Sequence, residues 1–525
     1  MPLQTLQVAI FIFVTGLIGY LTYRKCRIAI EAERANAGEK NQEQENKEVF
    51  LAGGGLTWVF VAGSITLTNL STDQLVGMNG NQMALLAWWE FAAVFGLIIL
   101  AKVFLPIYYR YNCTTTTELL EKRYNNHHIR ALISVMFLLG NIFIFLPSIL
   151  YGGSLFMQEM FKLNEVPLMA LAIAFAVAGA AYAVIGGLRA VAISDTYSGV
   201  LLLSLALVVV WLCLSAIDFD FTGIPKERLT LIGSTDSPIP WHTLLTGMIF
   251  IQIYYWSTNQ TITQRAMASP NVKEAQKGVF TAAVIRLLII PPIIVLPGIV
   301  SYKLYGDIGD AAYGRIVGDV LPLWMSGMFA AALAAAVLTS FNSILNSSSA
   351  LYICDIHEKY FKSTKKTNVS LLNLIVTGVF ILIALSLVPV WQKSESLINL
   401  VQKLYGLISM PILACFAVGL LFKNVDYRAA MWSVLIGVLF YGYLQFQESL
   451  VFALVEVKGL ALFAKLLYKF ASIPSVEVFL GWHYIHHMFF TLWLSIGSAL
   501  AINKYVFGNS AQFSWAGNTE LLEAK

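Results

Sequence analysis

Apolar runs of about 20 residues, separated by short polar segments, extend over almost the whole chain of 525 residues. An α-helix needs about 20 apolar residues to cross a bilayer, whereas a membrane β-strand needs only about ten. The pattern therefore predicts an all-α integral membrane protein, a single transmembrane domain over 1–525 with about thirteen transmembrane helices. The predicted spans are 4–23, 53–80, 81–107, 129–156, 166–186, 190–214, 240–265, 277–302, 322–354, 371–389, 396–422, 427–446 and 479–503.

The composition supports a membrane protein. Hydrophobic residues make up 58% of the chain and charged residues 12%, whereas soluble domains are roughly 45–50% apolar and 25% charged. These values exclude a soluble or disordered protein, and no nucleic-acid partner is expected. Five cysteines in apolar runs and predicted inner loops indicate no disulfide framework.

The distribution of basic residues predicts the orientation. The predicted inner segments carry 20 Lys and Arg, and the outer segments up to residue 395 carry 6. By the positive-inside rule the N-terminus lies outside and the C-terminus is cytoplasmic, in a bacterial-type inner or plasma membrane. Residues 24–48 are expected to form a polar cytoplasmic linker, 447–470 an amphipathic helix on the outer surface, and 505–525 a loose tail.

Two spans are interrupted by polar residues at their centres. The second contains SITLTNLSTDQ (64–74) and the seventh contains YYWSTNQTITQ (254–264). Matched breaks five helices apart are typical of inverted-repeat transporters, which hold their solute at the midplane between unwound helices. The repeats would be 53–214 and 240–422, with 4–23 an extra N-terminal helix and 427–503 extra C-terminal helices. The alternative is that these side chains are hydrogen-bonding contacts between packed helices.

A stripe of polar residues marks one face of the ninth span. Thr339, Ser343, Asn346 and Ala350 recur at helical spacing, with Ser340 beside them. Neutral oxygens suit a small monovalent cation, and Na⁺ is the natural candidate. A proton would need a titratable carboxylate, which this stripe lacks. The alternative is a small-residue packing face.

Charged residues within spans are rare and costly, so each predicts a functional site. Glu90 and Arg286 either contact the solute or form a buried ion pair with each other, and Asp195 begins the sixth span. No phosphate-binding loop precedes any helix, so no ATP-driven step and no enzymatic activity are expected.

Five segments, in order from about residue 50 to 425, resemble the sodium/solute symporters, which include sodium/glucose and bacterial sodium/galactose cotransporters. They are FLAGGGLTWVFVAGSITLTNLSTDQLVGMNG, AVIGGLRAVAISD, YYWSTNQTITQRAMASPNVKEAQKG, AALAAAVLTSFNSILNSSSALYICDIHEKY and QKLYGLISMPILACFAVGLLF. The resemblance implies the LeuT-type five-plus-five inverted-repeat fold. It also implies Na⁺ as coupling ion, with no other cofactor.

The resemblance also implies site residues. The sodium-binding residues would be Leu67, Leu70 and Ala336, through their carbonyls, and Thr339 and Ser340, through their hydroxyls. The substrate-binding residues would be Gln74, Glu90, Gln252, Arg286 and Gln402. Tyr255 would be the inner gate, and Asp195 would lie on the sodium exit route.

Three departures from the sodium/galactose pattern concern the solute. Arg286 stands where those relatives have lysine, Gln252 where they have asparagine, and Ala93 where they have a small hydroxyl residue. Because arginine matches a carboxylate in two-point contact, we expect import of a sugar or a sugar-derived, acidic solute. The alternatives are a carrier of an amino acid or another organic anion, and a membrane sensor or channel on the same fold. The expected partners are this small solute, Na⁺ and membrane lipids.

Overall fold

The computed structural model describes residues 2–34, 47–48, 50–163, 165–361, 369–394, 396–456 and 471–515, with Lys465 and Lys469. Nearly all of this part is helical. The first ten helices are α1 (Pro2–Arg34), α2 (Trp58–Asn69), α3 (Thr72–Gly80), α4 (Trp88–Ile99), α5 (Leu105–Arg110), α6 (Glu118–Tyr124), α7 (His127–Gly140), α8 (Leu146–Phe161), α9 (Leu168–Ala216) and α10 (Lys226–Leu229). The others are α11 (Gly247–Ser257), α12 (Gln260–Met267), α13 (Val272–Leu288), α14 (Ile290–Tyr305), α15 (Ala312–Val320), α16 (Leu323–Ala350), α17 (Glu358–Tyr360), α18 (Val369–Trp391), α19 (Leu397–Leu421), α20 (Tyr427–Glu456), α21 (Pro474–Leu480) and α22 (Tyr484–Tyr505).

Shorter elements join these helices. Two strands, β1 (Phe422–Lys423) and β2 (Gln512–Phe513), pair in antiparallel fashion. The 3₁₀ turns are Ala52–Gly54, Ala84–Ala87, Trp241–Leu245 and Gly309–Ala311, and the π-helical turns are Leu100–Phe104, Asn141–Phe145 and Leu351–His357.

Both predicted breaks are present, and each has a local cause. Between α2 and α3, Leu70 has φ −77° and ψ 61° and Ser71 is extended, so the helical hydrogen bonding stops there. Between α11 and α12, Asn259 is extended, and its side chain accepts a hydrogen bond from the backbone N–H of Thr261. Asparagine is a favoured helix N-cap, so the second break is set by its own sequence.

Ten helical segments of the described part are long and apolar enough to cross a membrane. The predicted spans outside this set are the two broken ones and 166–186, where the apolar segment that was found covers only Leu168–Ala180. The helical architecture is confirmed, and the count of thirteen remains a prediction.

The predicted loop at 187–189 is wrong. The backbone is helical throughout α9, a single element of 49 residues, which would be about 74 Å long if straight. A Cβ on Gly179 would touch Phe341 of α16, and Leu201 packs against a cluster that α1 and α16 form together and that includes Ala331 and Ala335. α9 therefore packs extensively against α16.

The described parts of the predicted linker and tail have regular secondary structure. Residues 24–34 of the predicted linker continue α1, because this stretch contains helix-forming Ala, Arg, Glu and Ile and no Gly or Pro. In the predicted tail, Phe513 pairs with Phe422 in the small sheet, and their rings meet edge to face at 6.1 Å. Residues 35–46 and 516–525 lie outside the described residues, as does most of the predicted amphipathic helix beyond residue 456.

Close packing around the broken helices depends on glycine. Gly96 lets α4 touch the backbone of α11 at Gln252, and Gly77 lets α3 lie against α19, where a Cβ would be 2.9 Å from the Cβ of Ile398. The broken helices are therefore held by α4 and α19 at the level of the breaks.

Candidate functional site: a solute cavity and an ion site

A cavity lies where the breaks in the two helices face each other. Five of the six residues predicted for solute binding and gating line it: Gln74, Glu90, Gln252, Gln402 and Tyr255. The other lining residues are Asn69, Met78, Trp89, Phe145, Ile251, Trp256, Ile398, Val401 and Tyr405. Amide groups and aromatic rings thus form most of the surface that a solute would meet.

The Glu90 carboxylate is fully buried, and both of its oxygens are bound by protein groups. Oε1 accepts from Gln74 Nε2 at 2.6 Å, and Oε2 accepts from Arg286 Nη1 at 2.6 Å. Of the two alternatives left open by the sequence, the structure therefore shows the ion pair. Glu90 still lines the cavity, as a neutralised acceptor rather than a free charge.

Arg286 does not line the cavity. Its second terminal nitrogen, Nη2, donates to the Thr66 carbonyl at 3.0 Å, and the guanidinium lies 4.4 Å from the ring centroid of Trp256. Both terminal nitrogens are thus held by protein groups, and the side chain is fully buried. Direct contact between Arg286 and the solute therefore stays a prediction; in this structure the terminal nitrogens bind Glu90 and the Thr66 carbonyl.

The amides of the cavity fall into two kinds. Gln252 is fixed, because its Nε2 donates to the Trp89 carbonyl at 3.2 Å and its Oε1 accepts from Trp256 Nε1 at 2.9 Å. Gln402 is half-buried and has no hydrogen-bond partner within the described part of the chain. Gln402 therefore offers a free donor and acceptor to a solute.

Asn69, which the sequence did not single out, joins these groups. With its amide oriented to satisfy its neighbours, it donates to Tyr255 Oη at 2.6 Å and accepts from Gln74 Nε2 at 2.9 Å and from Arg286. Asn69 is the last residue of α2, so the cavity network begins directly at the first break.

The predicted sodium ligands lie next to this network, on α2 and α16. The Ser340 hydroxyl donates to the carbonyls of Leu67 and Thr68, at 3.4 and 3.3 Å. The Thr339 hydroxyl donates to the Ala336 carbonyl at 3.2 Å. These are the hydroxyls and two of the three carbonyls predicted as ligands. The third carbonyl belongs to Leu70, at the break itself, and a set of neutral oxygens fits Na⁺.

Asp195 is closer to this ion site than expected. Its carboxylate accepts hydrogen bonds from Ser64 at 2.5 Å and Thr68 at 3.5 Å, and lies within hydrogen-bonding reach of Thr339. The stripe itself has no carboxylate, as the sequence indicated, but a neighbouring helix brings one to it. Asp195 comes from α9, so its position depends on packing that the sequence of α16 does not reveal.

Arg265 also reaches this site. It is fully buried on α12, where its Nε donates to the Thr68 hydroxyl at 2.9 Å. Thr68 also lies 3.2 Å from the Ser343 hydroxyl. Four helices therefore meet at Thr68: α2, α9, α12 and α16.

Two broken helices that enclose a solute cavity, with a ring of neutral oxygens beside it, define an ion-coupled membrane transporter. Residues 49–437 match the sodium:solute symporter family. The chain belongs to this family.

Relatives agree with this assignment. An uncharacterized symporter, YidK of Escherichia coli (strain K12), is 33% identical over 462 residues, which are 84% of this chain and 78% of the relative. The sodium/glucose cotransporter of Vibrio parahaemolyticus is 29% identical over 83% of this chain and 86% of its own. Sodium/myo-inositol cotransporter 2 of Oryctolagus cuniculus is 26% identical over 76% of this chain and 65% of its own.

A solved structure shows the same fold. A Na⁺-coupled sialic acid symporter in a substrate-bound, outward-open state superimposes with a TM-score of 0.74 over 97% of this chain and 99% of its own, at 16% identity. The protein therefore has the LeuT-type inverted-repeat fold. It is a multi-pass membrane transporter rather than an enzyme, and Na⁺ is its coupling ion.

Proposed function

We propose that this symporter imports a neutral, hydroxyl-rich solute, a sugar or a cyclic polyol, together with Na⁺. The observation that carries the proposal is the pairing of Glu90 with Arg286. A cavity whose charges neutralise each other presents amides and rings, and this surface suits several hydroxyls and the apolar face of a sugar ring. The names of two relatives, a sodium/glucose and a sodium/myo-inositol cotransporter, support this class of solute.

Within the cavity, Gln402 and the Gln74–Glu90 pair would hydrogen-bond the solute hydroxyls. Gln252 would act through its fixed amide, and Tyr255 would close the inner side. Arg286 would be a positioning residue, since it holds Glu90 in place and compensates its charge. This assignment differs from direct binding of a solute carboxylate by Arg286, which would require Glu90 to give up its partner.

Na⁺ would bind to the carbonyls of Leu67, Leu70 and Ala336 and to the hydroxyls of Thr339 and Ser340, and Asp195 would then lie on its way out. The end of α2 joins this site to the cavity. The Leu67 carbonyl faces Ser340, whereas the neighbouring Thr66 carbonyl binds Arg286. Na⁺ bound at the break would fix both carbonyls, and solute binding would strengthen by linkage.

The energetics suffice for uptake by alternating access, with the N-terminus outside and the C-terminus inside. One Na⁺ crossing 100 mV releases about 2.3 kcal/mol, and a tenfold inward gradient adds about 1.4 kcal/mol. Together these support roughly 500-fold accumulation of a neutral solute.

Uptake into proteoliposomes tests the proposal. The purified chain should accumulate a labelled hexose or inositol in Na⁺ but not in K⁺, and unlabelled neutral hexoses and inositols should compete. Competition by uronates alone would instead favour an acidic sugar, and competition by amino acids or simple organic anions would favour those solutes. Equal uptake of every candidate solute in K⁺ and Na⁺ would contradict coupling. Na⁺ conductance without saturable solute flux would indicate a channel.

A further inference from the structure

The two helices that line one wall of the cavity meet at a tight junction on the side that the predicted orientation places outside. Helix α3 contributes Gln74 and Met78 to the cavity, and α19 contributes Val401 and Gln402. Above these residues α3 lies directly against α19 at Gly77. Separating the two helices at this junction would open the cavity toward the outside.

Asp310, in the loop between α14 and α15, holds the junction from above. Its Oδ2 accepts a hydrogen bond from the backbone N–H of Leu397, the first residue of α19, at 2.8 Å. Its backbone packs against the last residue of α3: a Cβ on Gly80 would lie 2.9 Å from the Asp310 Cα and 2.5 Å from its Oδ1. Asp310 therefore touches the ends of both helices.

The hydrogen bond to Leu397 replaces a missing cap. Ser396 is the N-cap residue of α19, but its side chain makes no capping bond, and its hydroxyl has no partner among the described residues. The first N–H groups of a helix need an acceptor from outside the helix. Asp310 supplies it from another loop, so the first turn of α19 is tied to the position of Asp310.

We propose that Asp310 is a positioning residue that latches α3 to α19 over the solute cavity, and that protonation of its carboxylate favours the latched, outwardly closed state. The latch goes beyond the proposed function and does not depend on which solute is carried. Only the transport measurement below rests on the neutral solute proposed above.

The sign of the proton effect follows from burial. Asp310 is half-buried, and burial raises the pKa of its carboxyl to about 7, against the smaller, opposing effect of the Leu397 hydrogen bond. When α3 and α19 separate, water reaches the carboxyl and its pKa falls toward the ordinary value of about 3.9. The latched state then binds the proton more tightly, so acid favours latching. Between pH 8 and pH 6 the equilibrium moves toward the latched state by up to about tenfold.

Few other charges act on this carboxyl. Of the elements packed around it, α8 presents Tyr151, which interacts electrostatically with Asp310. Arg315 and Asp319 of α15 are engaged elsewhere, with the Tyr305 ring and with Lys162. The first turn of α19 carries no ionisable side chain, and α3 has none among its described side chains.

Solute uptake in sealed vesicles with the outer face outward tests the latch. As external pH falls from 8 to 6, the apparent KM of the wild type should rise several-fold, because a smaller fraction of the protein is open to the outside. Asp310→Asn keeps a hydrogen-bond acceptor but not the charge. At both pH 8 and pH 6, its apparent KM should equal that of the wild type at pH 6. Asp307→Asn is the matched control, since Asp307 is exposed and pairs with Arg228; it should respond to pH like the wild type.

A distance between two spin labels tests the latch without any solute and without the Asp310 variant, which could fail to fold. Spin labels attached at Asn81, just after α3, and at Lys393, just before α19, should move apart as the pH rises from 6 to 8 in otherwise wild-type protein. A KM and a label distance that are both unchanged over this range would overturn the proposal. A pH response that persists in Asp310→Asn would also overturn it.

Discussion

The ion site and the solute cavity lie next to each other at the first break, but the cavity contains a buried ion pair, whereas the predicted ligands of the ion site are uncharged oxygens. In the cavity, Glu90 and Arg286 are paired at 2.6 Å and both are fully buried. In the ion site, the backbone and hydroxyl oxygens of α2 and α16 are assembled around weak hydrogen bonds of 3.2 to 3.4 Å. The two charges of the cavity neutralise each other. The carbonyl oxygens of the ion site accept only weak hydrogen bonds from hydroxyls, and a cation would bind these oxygens more strongly.

The difference shows how a break can serve two ligands. Consecutive residues at the end of α2 alternate between the sites: the Thr66 carbonyl binds Arg286, the Leu67 and Thr68 carbonyls face Ser340, and the Asn69 amide enters the cavity network. No extended chain of contacts is needed for coupling, because the two sites share one unwound end. The second break contributes differently, since Asn259 caps α12 and donates to Tyr405 at 2.7 Å, which fixes its shape.

The largest expected effect tests the charge pairing in the cavity. Arg286→Leu would leave the Glu90 carboxylate buried without its cation, and breaking a buried pair in this way costs about 3–5 kcal/mol. We expect a marked loss of thermal stability in detergent and no transport.

The double variant Glu90→Gln/Arg286→Leu is the matched control for that loss. It removes both charges, so most of the stability should return. Solute binding should stay weak, because the Thr66 carbonyl has lost its donor and Gln74 then bonds a neutral amide instead of a carboxylate. If Arg286→Leu were as stable as the wild type, the buried Glu90 carboxylate would not depend on Arg286. The ion pair would then not distinguish the cavity from the ion site.

An intermediate effect is expected at the ion site. Ser340→Ala removes one neutral oxygen, and a contact to a charged group is worth about 1.5–3 kcal/mol. The Na⁺ concentration for half-maximal uptake should therefore rise roughly ten- to hundredfold. Stability without Na⁺ should change little, because no charge is left unpaired.

Ser347→Ala is the control, two turns further along α16. The Ser347 hydroxyl is buried but donates to the Ser343 carbonyl of its own helix at 2.8 Å, so its removal should change the Na⁺ dependence less than twofold. An equal Na⁺ response in both variants would remove Ser340 from the ion site.

Periodicity and composition predicted the features that repeat along the chain. The broken helices were visible because polar residues at the centre of a span are costly in lipid, and the stripe on α16 was visible because Thr339 and Ser343 share a helical face. The resemblance to a known family supplied the residues that span both sites. Five of its six cavity residues do line the cavity in the structure.

Contacts between distant helices could not be predicted in this way. The sequence allowed Glu90 and Arg286 to be paired or free, and only packing puts the guanidinium between Glu90, Thr66 and Trp256. Likewise, Asp195 is 131 residues from Ser64, and nothing local indicates that α9 brings it to the ion site. The spans 166–186 and 190–214 were predicted as separate helices, although the backbone between them is helical.

The smallest expected effect concerns Gln402, a cavity amide without a hydrogen-bond partner among the described residues. Gln402→Ala removes a neutral hydrogen bond to the solute, worth about 0.5–1.5 kcal/mol, so the solute KM should rise roughly two- to tenfold. Na⁺ binding measured without solute should not change, since Gln402 lines the cavity and makes no hydrogen bond to an ion-site residue in the described part of the chain. Gln276→Ala is the control, because Gln276 donates to the Ala101 carbonyl outside the cavity. A shift in Na⁺ affinity from Gln402→Ala alone would mean that α19 also shapes the ion site, so that the cavity and the ion site would share more than the end of α2.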